Sequence, residues 1–320
     1  MVTGGEAATP STADAKRTSR NWKRVVLWSL LVMTLAGLAA GLFHLHRFVT
    51  TSNTPRPPVP PSPLRALSDR RLVSVTITTP TWQKVRWVVT VDTLRTDHRL
   101  WRQMHFNDWD AIPAEFREPA LLAMIDSYRP LFAGPAVWRQ MRVEDWDQVP
   151  QPIRAMVFLR MIWFWARHEE LGAEFDLSPT RLATTVASIV MAESWFEHRS
   201  INVNQWGNRD LGLAQCSDYC RASLAEMAEA GEIAFTLSEA DYFNPWLATR
   251  VATVWFEREL LNAAGDVDLA IRAYHRGIVN AMDEKGDVYH ARVVRLREDY
   301  IRSQDVSPTW QLLTRVIRPL

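Results

Sequence analysis

The sequence predicts a mainly α-helical chain with one membrane-spanning helix near its N-terminus. Hydrophobic residues make up 47% and charged residues 23% of the 320 positions, which is typical of a globular protein with a sizeable core. Residues 25–46 contain no Asp, Glu, Lys or Arg. Beyond residue 150, apolar residues recur at helical spacing between signals that begin or end helices. These three observations set the fold class.

Residues 25–46 predict an uncleaved membrane anchor, because about 20 apolar residues in an α-helix span the hydrocarbon core. The preceding residues 1–24 carry five basic and two acidic side chains, so this segment should stay cytoplasmic. We therefore expect a single-pass membrane protein whose remaining chain lies outside the cytoplasm. A cleaved signal peptide is the alternative. Six prolines within residues 55–63 predict a stiff linker over residues 47–64.

Composition excludes several classes of function. The 37 basic and 36 acidic residues nearly cancel, which gives no support for a nucleic-acid partner. Two Cys are too few for a disulfide scaffold or a Cys-rich zinc module. His168 and Glu169 begin like a zinc-protease helix, but the second His is missing, and no Gly-rich phosphate loop is present. We expect neither a metal nor a cofactor.

Two short strands are predicted over residues 72–92, within a segment of unclear role at 65–98. Val73, Val75 and Ile77 alternate with polar residues, and a second alternating run at 85–91 follows beyond Pro80. The C-terminal tail is placed at residues 305–320.

An internal repeat with a period of 37 residues occupies much of the predicted helical accessory region, residues 99–175. The matching elements are Trp101–Met104 with Trp138–Met141, Asp108–Asp110 with Asp145–Asp147, Pro113 with Pro150, and Arg117 with Arg154. Two copies are too few for a free-standing solenoid. They indicate two stacked helical units held by their Trp residues. A docking or glycan-binding platform is the functional alternative.

The catalytic domain is predicted at residues 176–304, as a set of helices. Predicted helices cover 152–170, a segment that begins at Ser178-Pro179, and then 245–264, 266–274 and 290–304. In the second of these helices, Leu182, Val186 and Ile189 share one face, and Glu193 continues that row. Burial on an apolar face raises the pKa of a carboxyl, as a general acid for glycosidic cleavage requires. A structural Glu held by hydrogen bonds is the alternative.

Three short motifs follow in order. They are Ala192-Glu193-Ser194-Trp195-Phe196, then Asp210-Leu211-Gly212-Leu213-Ala214-Gln215, then Ala273-Tyr274-His275-Arg276-Gly277. They resemble the E-S-x-F, G-L-M-Q and A-Y-N-A-G motifs of the soluble-type lytic transglycosylases, over about residues 177–277. Ala214, His275 and Arg276 depart from the family pattern, which affects substrate fit more than chemistry.

The resemblance implies a lysozyme-like α+β fold and cleavage of peptidoglycan glycan strands without a cofactor. By resemblance, Glu193 first protonates the leaving glycosidic oxygen and then acts as base on the 6-hydroxyl of the same muramic sugar, which leaves a 1,6-anhydro end. Gly212 and Gln215 would line the cleft, Tyr274 would orient the catalytic carboxylate, and Ser194 would support the helix or touch substrate. With the predicted anchor, the resemblance implies a protein of the bacterial inner membrane with this domain in the periplasm. Its expected task is to cut peptidoglycan strands, either for wall remodelling or to let an envelope-spanning protein machinery through.

Asp210 leaves a second outcome open. Animal lysozymes show a similar Asp-x-Gly-x-x-Gln stretch, and an Asp across the cleft about 5 Å from Glu193 would favour a retaining hydrolase. The alternative for Asp210 is a turn residue that caps a backbone N–H. A non-catalytic peptidoglycan-binding scaffold is the remaining alternative for the whole chain. Cys216 and Cys220 stand four residues apart, within reach of a disulfide on a helix, although two free thiols fit equally.

Overall fold

The computed structural model describes residues 70–78, 83–204, 207–299 and 307–317. The predicted membrane anchor at 25–46 and the Pro-rich linker at 47–64 lie outside these residues. Among the helices that the structure describes, none is both long and apolar enough to cross a membrane.

The described chain begins with an antiparallel hairpin of β1 (Leu72–Thr78) and β2 (Lys84–Thr90). Val73, Val75 and Ile77 are buried, as their alternation indicates. Trp87, which pairs with Val75 in the register, keeps 41% of its surface exposed. The hairpin therefore contributes to the core mainly through β1.

Seven helices follow the hairpin and form the accessory region and its boundary. They are α1 (Val91–Thr96), α2 (His98–Gln103), α3 (Phe106–Asp110), α4 (Ala114–Ser127), α5 (Pro135–Trp138), α6 (Val143–Asp147) and α7 (Gln151–His168), with a 3-10 turn at Arg129–Ala133.

The sequence repeat is also a structural repeat. The indole N–H of Trp101 donates to the carbonyl of Leu94 at 2.7 Å, and that of Trp138 donates to the carbonyl of Leu131 at 2.6 Å. Both acceptors lie seven residues before the Trp. Trp109 and Trp146 are likewise buried in the two copies. These four indoles fill the core, so they do not form the glycan-binding platform considered as the alternative.

The second part of the chain is also mostly helical. Its elements are α8 (Pro179–Ser194), β3 (Ile201–Val203), β4 (Arg209–Leu211), α9 (Asp218–Glu229), α10 (Pro245–Asn262), α11 (Val267–Arg276), α12 (Glu284–Leu296) and α13 (Pro308–Ile317), with 3-10 turns at Ala173–Phe175, Glu239–Phe243 and Ile278–Asn280. Strands β3 and β4 pair antiparallel. Side chains of Ser178 and Asp266 cap the starts of α8 and α11, where the sequence predicts helix starts.

The two parts share one hydrophobic core, which extends from Val73 to Leu313. The long apolar helix α7 lies at its centre and packs against α8, α10 and α13. Asp69–Leu320 is accordingly a single compact unit rather than an accessory region beside a separate catalytic domain. Packing in this shared core therefore fixes the position of the accessory helices relative to α8.

Two predicted boundaries are wrong. The helix expected at 290–304 begins earlier, at Glu284, because the side chain of Asp283 caps it by accepting from the N–H of Gly286. The segment predicted as a C-terminal tail contains α13. Its Trp310 is buried, and the N–H of Thr309 donates to Asp110 at 2.8 Å. The tail thus closes the core next to the first Trp repeat.

Candidate active site

Glu193 lies at the penultimate position of α8, where the helix is stopped abruptly. Trp195 and Phe196 both adopt left-handed backbone conformations, with φ of 51° and 61°. Ser194 fixes the helix end, because its hydroxyl reaches the carbonyl oxygen of Leu213 at 3.1 Å. The carboxyl group of Glu193 is thereby held at the edge of the core, beside the turn that follows β4.

That turn, residues 211–216, is closed by its own hydrogen bonds. Leu211 and Cys216 pair through their backbones, and the N–H of Gly212 donates to the carbonyl of Ser200 at 2.8 Å. The side-chain amide of Gln215 donates to Gly212 and Ser200, at 2.8 and 3.2 Å. Gly212 has φ of 68°, and a Cβ there would lie 1.9 Å from the carbonyl oxygen of Tyr242. Only glycine fits this position.

The carboxyl group of Glu193 is partly buried and has a high proton affinity. Burial raises its pKa to about 7, and the negative charge of Asp210 adds a smaller upward contribution. Two groups act in the opposite direction: the hydroxyl of Tyr289, which donates to Oε1 at 2.6 Å, and the positive charge of Arg292. A carboxyl with this pKa is protonated in a large fraction of molecules near neutral pH.

Glu193 lies where two cavities meet. The first, of about 490 Å³, is lined by Asp210, Gln215, Tyr274 and residues 275–280, among others, and we call it the Asp210 arm. The second, of about 470 Å³, is lined by Thr78, His105, Phe106 and Asn107 of the accessory region together with Gln151, Ser194, Trp195, Glu197 and Ser200, and we call it the accessory arm. Glu193 lines both arms. The carboxyl group therefore borders both cavities.

Asp210 faces the Asp210 arm from β4. Burial raises its pKa, and the amide of Asn202 on β3 partly offsets this rise from 3.4 Å. Asp210 is thus not confined to a turn cap, and the cleft holds two carboxyl groups. Its catalytic role stays a prediction.

Cys216 and Cys220 form a disulfide between the turn and the first helical turn of α9. Both half-cystines line the Asp210 arm and are buried. Ser217 between them caps α9 through the N–H of Cys220. The bridge therefore ties the wall of the cleft to a helix end.

The segment after Glu193 is anchored to the second accessory repeat. The guanidinium of Arg154 donates to both carboxylate oxygens of Glu197, at 2.8 and 2.9 Å, and Arg199 binds Asp147 through two nitrogens. His198 is fully buried with Nε2 3.1 Å from Asp147. Burial lowers the pKa of His198 to about 4, so this contact involves a neutral imidazole near pH 7.

Residues 177–293 match the family model described as the transglycosylase SLT domain. The match covers 117 of the 320 residues, a little over a third of the chain. The predicted resemblance to the soluble lytic transglycosylases, within the lysozyme-like superfamily, is confirmed. The SLT domain supports a lytic transglycosylase that acts on peptidoglycan. No curated protein and no solved structure gives a significant match to the chain.

Within the SLT domain, the expected contact between Tyr274 and Glu193 is wrong. The hydroxyl of Tyr274 donates instead to the carbonyl of Ala214 at 3.0 Å, and it supports the turn that carries Gln215. The hydrogen bond to Glu193 comes from Tyr289 on α12. Helix α11 ends at Arg276, and Tyr274 lies in its last turn.

The sequence analysis did not identify Tyr289 as a site residue, although its spacing within α12 indicates that its side chain is buried. Tyr289, Val293 and Leu296 recur at helical spacing and are all buried, so Tyr289 belongs to the inner face of α12. His275 stacks on its ring, with centroids 4.5 Å apart and planes at 9°. The accessory-arm residues were missed as well, because nothing local in the sequence links positions 78 and 105–107 to Glu193.

Proposed function

We propose that this protein is a membrane-anchored lytic transglycosylase that cleaves the β-1,4 bond between MurNAc and GlcNAc of peptidoglycan. The single observation that carries the proposal is the placement of Glu193. It is a partly buried carboxyl with a pKa of about 7 that lines two adjoining cavities, within the region that matches the SLT domain.

The reaction uses Glu193 twice. As an acid, Glu193 gives its proton to the glycosidic oxygen while the bond from that oxygen to C1 of MurNAc breaks. The resulting carboxylate then removes the proton of the 6-hydroxyl of the same sugar as this oxygen bonds to C1. The product is 1,6-anhydroMurNAc, no water is consumed, and Glu193 is again protonated. Because the nucleophile belongs to the substrate, the attack is effectively unimolecular.

Each neighbour of Glu193 has a proposed part in this cycle. Tyr289 orients the carboxyl and stabilises its ionised form through the 2.6 Å hydrogen bond. Ser194 and Gln215 hold the helix end and the turn in place through their hydrogen bonds to backbone carbonyls. Tyr274 supports the same turn through Ala214. These are positioning roles.

A hydrolytic muramidase is the second candidate, because Asp210 lines the same cleft as Glu193. In that reaction Asp210 would act as the nucleophile or would stabilise the oxocarbenium ion, and water would complete the cleavage. The two candidates differ in product and in the effect of an Asp210→Asn substitution.

The proposed location is the bacterial inner membrane, with the SLT domain in the periplasm. The uncharged run at 25–46 and the basic residues before it support this orientation. The Cys216–Cys220 disulfide supports it too, since such bonds persist in oxidising compartments. An envelope-spanning machinery that needs a local opening in the wall is the proposed context.

The decisive experiment is a digest of purified peptidoglycan by the full-length protein, analysed by mass spectrometry. We expect products that are one water, about 18 Da, lighter than hydrolysed muropeptides, and their loss in Glu193→Gln. Glu257→Gln is the matched control. Burial also raises the pKa of Glu257, but this residue lines a different cavity, so its substitution should preserve cleavage.

The outcomes separate the candidates. Reducing-end products that disappear in Asp210→Asn would replace the transglycosylase with the muramidase. Anhydro products that survive in Asp210→Asn would exclude Asp210 as a nucleophile. Binding to peptidoglycan without cleavage by the wild-type protein would favour the scaffold.

A further inference from the structure

The accessory arm is built by two distant parts of the chain. Its outer wall comes from Thr78 at the end of β1 and from residues 105–107 at the start of α3. Its inner wall comes from the end of α8 and the residues that follow Glu193. The outer wall lies outside the SLT domain at 177–293, so this part of the cleft is a property of this chain rather than of the domain.

One buried side chain joins the two walls. The amide nitrogen of Gln151 donates to the carbonyl of Trp195 at 3.3 Å, and its amide oxygen accepts from the N–H of Phe106 at 3.2 Å. Trp195 itself holds a left-handed backbone conformation, which is strained for a bulky residue and persists only where the surroundings impose it. The arm is therefore a formed feature of the fold and not a gap between two loosely placed regions.

The lining of the arm suits a sugar. Trp195 keeps 39% of its surface exposed, and Asn107 and His105 add polar groups to the lining. Phe106 is buried, with its ring 5.3 Å from that of Trp310, so the exposed aromatic surface among the described lining residues comes from Trp195. An aromatic face next to a few hydrogen-bonding groups matches a pyranose ring, which has an apolar face and polar edges. The volume of about 470 Å³ lies within the usual range for small-ligand sites.

The charges of the arm favour an uncharged ligand. Glu197 is neutralised by the two hydrogen bonds from Arg154, and burial raises the pKa of Glu193 to about 7, so about half of the molecules carry a neutral carboxyl there at pH 7. No Lys or Arg is among the described residues that line the arm. The uncharged GlcNAc unit of a glycan strand fits these properties better than an anionic or cationic ligand.

We propose that the accessory arm binds the sugars of the glycan strand that continue past Glu193, so that the accessory region forms part of the substrate site. The inference rests on the proposed function, because it is Glu193, shared by both arms, that makes the accessory arm a continuation of the cleft. It assigns a substrate-binding role to Thr78, Asn107 and Trp195, and it explains why the accessory helices share a core with α7 and α8.

The internal repeat provides a matched pair of variants. Asn107 is the second residue of α3 and lines the arm, whereas Glu144, 37 residues later, is the second residue of α6 and does not. Both side chains are exposed. Asn107→Trp should therefore fill the arm, while Glu144→Trp places the same bulk on the equivalent helix outside it. The loss of the exposed ion pair between Glu144 and Arg199 is worth little.

Binding is measured in the full-length protein that also carries Glu193→Gln, so that cleavage does not interfere. The probe is peptide-free glycan strands prepared from bacterial peptidoglycan, titrated by calorimetry. We expect Asn107→Trp to raise the dissociation constant at least tenfold and Glu144→Trp to change it less than twofold. Trp195→Ala should also raise it about tenfold, and this variant tests the inner wall without added bulk. Thermal unfolding midpoints report whether each variant is folded.

The results distinguish this inference from the proposed function. Equal affinity in the Asn107→Trp, Trp195→Ala and Glu144→Trp variants overturns the inference, even if the wild-type protein cleaves. Weaker binding in the first two variants alone supports it, even if the wild-type protein proves to be a non-catalytic binder. Absence of binding in the Glu193→Gln parent overturns it together with the scaffold alternative.

Discussion

Removal of the Tyr289 hydroxyl should move the pH dependence of cleavage. Tyr289 donates to Oε1 of Glu193 at 2.6 Å in a partly buried site, and this bond favours the ionised carboxylate. A hydrogen bond to a charged group contributes about 1.5–3 kcal/mol. Since one pH unit corresponds to about 1.4 kcal/mol, Tyr289→Phe should raise the pKa of Glu193 by about one to two pH units.

The sign follows from the role of Glu193 as an acid. Glu193 must carry a proton when cleavage begins, so kcat/KM should fall as the pH rises through its pKa, about 7 in the wild-type protein. In Tyr289→Phe this descending limb should lie about one to two pH units higher. Below pH 6, where Glu193 is mostly protonated in both proteins, the variant should be about ten- to hundredfold slower, because the carboxyl is less well positioned.

The assay is the rate of release of soluble muropeptides from purified peptidoglycan between pH 4 and 10. Tyr274→Phe is the matched control, because its hydroxyl binds the carbonyl of Ala214 and makes no hydrogen bond to Glu193. We expect Tyr274→Phe to keep the descending limb in place. A descending limb that does not move in Tyr289→Phe would refute the link between this hydrogen bond and the pKa of Glu193. The limb would then belong to another group, such as His275, which stacks on Tyr289.

Three further predictions concern stability, measured by chemical denaturation. Glu193→Gln should be more stable than the wild type at pH 8, by up to about 3 kcal/mol, and similar in stability at pH 4. The reason is that a carboxyl with a raised folded-state pKa destabilises the fold as the pH rises from the unfolded-state pKa to about 7. Equal stability of the two proteins at both pH values would contradict the raised pKa. Gly212→Ala should lower the free energy of unfolding by at least about 3 kcal/mol more than Gly231→Ala does. Both glycines have positive φ, but of these two positions a methyl group meets a backbone oxygen only at Gly212. Equal losses of stability in the two variants would argue against this close approach. Reduction of the Cys216–Cys220 bond should cost about 2 kcal/mol, the chain-entropy value for so short a loop, and the double Cys→Ala variant should be insensitive to reductant.

Much of the helical part of the fold could be predicted from local signals. Ser178 before Pro179 and Asp266 before Val267 mark helix starts that the structure has at those positions. These signals work because capping is satisfied within one helical turn. The start of α12 was predicted too late, since its capping residue, Asp283, follows a short 3-10 turn that interrupts the periodic pattern.

The site was predictable where a short motif specifies it and not where tertiary packing does. Glu193, Gly212 and Gln215 stand in such motifs, and the structure brings them together around the turn after β4. The hydrogen bond to Glu193 could not be assigned correctly, because Tyr274 and Tyr289 both point inward from helices that pack together. Which of the two tyrosines reaches Glu193 depends on how α11 and α12 pack against each other, and the spacing of residues in the sequence does not encode this packing.

The shared core suggests why the chain keeps its accessory helices. Residues 177–293 contain Glu193 and the turn at 211–216, but the outer wall of the accessory arm is made by β1 and α3, and α7 packs against both α8 and α13 between these parts of the chain. Gln151, at the first position of α7, connects Phe106 with the residue that ends α8. A change in the packing of α7 would therefore alter the shape of the cleft next to Glu193. In the proposed enzyme, this packing is the physical route by which the accessory region would affect which glycan strands bind.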